Sequence, residues 1–126
     1  MWVSPGGLHV WAYRSAVDLR KGFNGLYALV ERELGRDVMT GDVFVFVARH
    51  RRAAKLLWHD GTGLCLMTKR LDRASFGPLW RGTDPRVMSM HPAELALYLR
   101  GEMSSRRRVE IPKNPNNVLA TREMIG

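Results

Sequence analysis

The feature that most constrains this chain is the run Val43-Phe44-Val45-Phe46-Val47-Ala48, six apolar residues with no polar interruption. It is too short for a helix and rich in β-branched and aromatic side chains, so it predicts a strand covered on both faces. Residues 55–59 and 64–71 supply two further strands. They are joined by Asp60-Gly61-Thr62-Gly63, whose glycines permit the positive φ that a hairpin loop needs. The expectation is an antiparallel meander.

On the N-terminal side, Leu8-His9-Val10-Trp11-Ala12-Tyr13 follows the break Pro5-Gly6-Gly7 and reads as another strand. From Asp18 the period changes. Leu19, Phe23, Leu26, Val30 and Leu34 recur at three and four, on one helical stripe with Tyr27 beside it, with Ser15 or Asp18 available to cap the start and Gly35 to end it. Residues 74–90 carry Gly77, Pro78, Gly82 and Pro85 and read as turns, with a short strand at 86–90. Pro92 suits the first position of a helix that buries Leu95, Tyr98 and Leu99 and stops at Gly101. The fold class is therefore α+β: an antiparallel β-meander with one long amphipathic helix, a short C-terminal helix and a flexible basic tail. Residues 1–101 are expected to form a single domain, and the polar, proline-broken residues 102–126 a disordered tail.

Lys and Arg outnumber Asp and Glu by 20 to 12, which favours polyanionic partners. The excess is local. Residues 1–48 hold five basic and five acidic residues, whereas residues 49–73 hold seven basic and two acidic. Arg49, Arg51, Arg52 and Lys55 fall at the tip and flank of one hairpin, and Lys69 and Arg70 on the strand that returns beside it, so antiparallel pairing should bring the two groups to one end of the sheet. Such a hairpin can grip phosphates with forked Arg donors; the plainer alternative is a charged turn that keeps a sheet soluble. Arg20 and Lys21, placed in the first turn of the expected helix where a macrodipole disfavours cations, would make a phosphate cradle or else pair with Asp18. Gly22 and Gly25 suggest close backbone packing.

Catalytic chemistry finds little support. A metal-dependent nuclease needs clustered carboxylates, yet Asp18 reads as a cap and Asp60 as a turn former. His9, His50, His59 and His91 are scattered, Cys65 has no partner cysteine, and no nucleophile has a recognisable base, so no catalytic residue, metal or cofactor is expected. Trp11, Trp58 and Trp80 could stack on bases, although such residues more often build cores. No apolar run approaches the ~20 residues of a membrane span, and the lone cysteine suits a reducing compartment, so a cytoplasmic protein is expected.

Asp18-Leu19-Arg20-Lys21-Gly22-Phe23-Asn24-Gly25-Leu26 and Gly41-Asp42-Val43-Phe44-Val45-Phe46 are followed by Arg49, Arg51 and Arg52, then Lys55-Leu56-Leu57-Trp58. Asp60-Gly61-Thr62-Gly63 and Lys69-Arg70-Leu71 with Phe76 complete an ordered series. Together these motifs resemble the TnpB-type accessory protein encoded by the second small reading frame of the bacterial insertion-sequence family numbered sixty-six. The resemblance spans roughly residues 8–101, with departures at Asn24, where Asp is usual, and at His59, where a second Trp is common. It implies a protein that assists transposition beside a larger transposase and a second small accessory protein. Two roles follow as expectations. One is direct binding of DNA by Arg20, Lys21 and the basic hairpin; the other is a protein-interaction subunit that recruits or stabilises the transposase without touching DNA. A metal-dependent nuclease is a remote third.

Overall fold

The computed structural model describes residues 8–80 and 87–101. The order along the chain is β1 (Val10–Tyr13), α1 (Phe23–Arg32), a 3-10 turn (Val38–Thr40), β2 (Val43–Val47), β3 (Ala53–His59), β4 (Leu64–Arg70), β5 (Val87–Met90) and α2 (Pro92–Tyr98). The five strands form one sheet in the order β4-β3-β2-β1-β5. β2, β3 and β4 make the expected antiparallel meander. The sheet as a whole is mixed, because β1 lies parallel to β2 and antiparallel to β5. A parallel pair requires a long crossover, and residues 14–42, which carry α1, provide it.

The apolar run is the central strand. All five residues of β2 are buried, and successive side chains feed opposite faces. Val43, Val45 and Val47 join Val10, Ala12, Leu56 and Met90 beneath Leu95 of α2. Phe44 and Phe46 join Leu57 beneath Leu26 and Val30 of α1. One helix therefore covers each face, and that is why no polar residue interrupts residues 43–48. Each fully buried Val or Phe contributes about 1.5–3 kcal/mol relative to an exposed one.

α1 is shorter than its apolar spacing predicts, with ten residues starting at Phe23. Neither Ser15 nor Asp18 caps it. The cap position is Gly22, without a side-chain bond, because the Asp18 carboxylate is already used four residues earlier, on the Arg20 backbone and guanidinium. Residues 18–21 form a turn closed by Lys21 N–H to Asp18 O at 3.2 Å. Leu19 and Leu34 still pack against the α1-side core from outside the helix. Gly35 adopts φ 62° and lets the chain turn away. A side chain at Gly22 would meet open space, and one at Gly25 would meet only the Lys21 side chain, so close backbone packing does not explain Gly22.

α2 begins at Pro92, as expected, and its cap is His91. The imidazole accepts from Ala93 N–H while Glu94 reaches back to His91 N–H, so two backbone donors at the helix start are satisfied reciprocally. Gly101 adopts φ 80° just beyond the helix. The tail expected at 102–126 and the first residue of the expected strand at 86–90 lie outside the described residues.

Candidate nucleic-acid interface

The register of the meander settles how the basic groups are arranged. Ala53 pairs with Arg70 and Ala54 with Lys69, so the end of β4 lies beside the start of β3. Arg49, Arg51, Arg52, Lys69 and Arg70 accordingly occupy one end of the sheet. The Asp60 turn closes the other. Alternation then distributes the side chains: Lys55 and Arg70 lie on the α1 face, and Lys69 on the α2 face.

The tip of the basic hairpin is locked in place. Ala48 N–H donates to Ala53 O and Arg51 N–H to Ala48 O, which closes the turn on Arg49 and His50. Arg51 sits at φ 61°, a left-handed conformation that costs an L-residue roughly 1 kcal/mol or more. Contacts with the segment after β4 hold it there: Phe76 N–H donates to Arg51 O at 2.6 Å, and the Arg51 guanidinium donates to Phe76 O at 3.1 Å. Phe76 is itself fully buried and stacked on Tyr98 of α2, with ring centroids 5.5 Å apart. Arg52 is fixed similarly. Its N–H donates to His50 Nδ1 at 3.0 Å and its guanidinium to Asp72 O at 2.8 Å.

Lys55 brings in the third group. Its ammonium donates to Lys21 O at 3.1 Å, tying the loop before α1 to the same end of the sheet. Arg20 and Lys21 thus join the hairpin, though from a turn and not from the first turn of a helix. Arg20 is forked onto Asp18 at 2.6 Å, and this bond holds the Asp18 carboxyl well below the usual carboxylate range. Among the described residues it is the one member of the group with a carboxylate within 4 Å. Arg51, Arg52 and Lys55 spend hydrogen bonds on backbone carbonyls, which leaves their charge unneutralised. Arg73, the next cation after Arg70, is exposed just beyond the end of β4.

The remaining polar residues have local tasks. The Asp60 carboxylate accepts from Thr62 N–H, the Thr62 hydroxyl and Gly63 N–H, which lower its pKa to about 2. Asp60 and Asp18 are at opposite ends of the sheet. His50, His59 and His91 each use Nδ1 to accept a backbone N–H two residues on, a role that isolated histidines in a sequence do not advertise. Among the described residues, no three of His, Cys, Asp and Glu gather into a metal-binding group. No described helix is long and apolar enough to cross a membrane.

Comparison with known proteins identifies the family. Residues 8–109 match the model of the IS66 Orf2-like proteins. The chain belongs to that family. It is thereby an accessory protein of IS66-type transposition. Two relatives of this IS66 Orf2-like protein come from Sinorhizobium fredii. The uncharacterized protein y4hO is 36% identical over 101 residues, covering 80% of this chain and 86% of its own length. The uncharacterized protein y4jC is 33% identical over 112 residues, covering 89% of this chain and 94% of its own. No solved structure matches significantly.

Proposed function

We propose that this IS66 Orf2-like protein assists transposition in the cytoplasm by holding DNA phosphates at the basic end of its sheet, without itself cutting strands. One observation carries the reading. Lys21, Arg49, Arg51, Arg52, Lys55, Lys69 and Arg70 come from three chain segments to one end of the sheet, Lys55 and Arg70 on its α1 face and Lys69 on its α2 face, and, among the described residues, none has a carboxylate within ion-pairing distance. Like charges brought together without counter-ions repel, and a polyanion relieves that repulsion while releasing its own condensed cations. A merely solubilising surface gains nothing from such convergence, since interspersed signs serve solubility as well.

The test is a salt titration of binding to DNA from an element end and to unrelated DNA. Phosphate contacts require affinity to fall linearly on logarithmic axes, with a slope of about −0.9 per contact on duplex. Affinity that does not respond to salt rejects the reading. Retention of the element's transposase by a protein that ignores DNA would support the interaction subunit in its place.

A further inference from the structure

The tryptophans that the sequence offers as stacking surfaces are engaged elsewhere. Trp11 lies under Arg36, whose guanidinium carbon is 3.4 Å from the ring centroid, and donates to Asp42 at 2.9 Å. Trp58 and Trp80 pack against the α2-side core. Phe23 is left open. Its helical stripe places it inward, yet it is 46% exposed and belongs to neither core cluster.

A single exposed Phe is ordinary on a protein surface. The surroundings of this one are not. It directly follows Lys21 and Gly22, and the Lys55 bond to Lys21 O ties that loop to β3. On the same sheet face Arg70 is the diagonal cross-strand neighbour of Lys55, within reach of long side chains. An exposed aromatic two residues from Lys21, on the segment that Lys55 ties to β3, suits a strand in which base faces and phosphates are both accessible. A duplex would offer the same surface only its phosphates, because its base faces are stacked.

We infer that Phe23 is a base-stacking platform, and that the basic end takes single-stranded or locally unpaired nucleic acid with its phosphates on Lys21, Lys55 and Arg70. This rests on the phosphate-binding reading above and adds strandedness to it.

The experiment uses the full chain and fluorescence anisotropy with three probes: an oligothymidylate, an abasic strand of equal length, and a duplex. The wild type should bind the oligothymidylate roughly tenfold or more tighter than the abasic strand, about the worth of one stacked base. Phe23→Ala should abolish that preference and leave duplex affinity unchanged, and Phe23→Tyr should retain it. Equal binding of both single strands by the wild type, or a preference that survives Phe23→Ala, overturns the inference while salt-sensitive duplex binding keeps the phosphate reading intact. Binding to none of the probes at low salt overturns both. Should Phe23→Ala fail to fold, Phe23→Leu, which keeps the apolar bulk without an aromatic face, takes its place: loss of the preference supports the inference and its survival overturns it.

Discussion

Arg51 and Phe76 are joined twice, once from the Phe76 N–H to the Arg51 carbonyl and once from the Arg51 guanidinium to the Phe76 carbonyl. A residue that reads as a phosphate contact is thus also a clasp between the hairpin tip and the segment that follows β4. Arg51→Ala keeps the left-handed backbone and loses the side-chain bond, so stability should fall by about 1 kcal/mol or more. Arg51→Gly relieves the backbone and should recover part of the loss. Urea unfolding of the two variants checks the order.

The clean probes of phosphate binding are Arg49→Ala and Arg70→Ala, because neither side chain makes a hydrogen bond or ion pair among the described residues. Each exposed substitution should change stability by less than about 0.5 kcal/mol. Each should also weaken DNA of any sequence alike and flatten the logarithmic salt slope by roughly one. Anisotropy titrations at four salt concentrations, with thermal midpoints alongside, measure both quantities.

Leu26 and Phe23 share a helical stripe and differ in burial, 0% against 46% exposed. Leu26→Ala should cost about 2–5 kcal/mol and Phe23→Ala less than about 0.5. Equal losses in chemical denaturation would contradict this placement of α1.

Gly101→Ala should destabilise the protein. At φ 80° an L-side chain is strained, and its Cβ would sit 2.6 Å from Leu71 Cδ1. The cost should exceed about 1 kcal/mol, read as a lower thermal midpoint.

Asp60 gives a pH signature. Its folded pKa of about 2 lies below the ordinary carboxylate value, so the folded state favours the charged form. The stability it contributes is complete above the unfolded value near ~4 and is lost as pH falls through about 2. Asp18 is depressed in the same direction by Arg20. Asp60→Asn should therefore flatten the decline of stability between about pH 4 and 2, as followed by urea midpoints.

Much of this fold was legible because its signals are local. The uninterrupted apolar run marks β2, Asp60-Gly61-Thr62-Gly63 marks the turn of its meander, and Pro92 and Gly101 bracket α2. The insertion of β1 between β2 and β5 was not legible, since pairing across some thirty to eighty residues leaves no local pattern. Apolar spacing overran the start of α1 because Leu19 packs on the same core from a turn. Convergence of the cations followed from hairpin geometry. The joining of the Lys21 loop to that end through Lys55 did not, because a lysine reaching the Lys21 carbonyl depends on how α1 docks.

β4 forms one margin of the sheet, and its residues from Met67 to Arg70 are exposed. Among the described residues no strand pairs with its outer side, and such a margin is a template on which another chain's strand can add. Lys69 and Arg70 stand exposed on this margin, and charged side chains there disfavour its pairing with a second copy. A polyanion bound there would screen those charges and so weaken that protection.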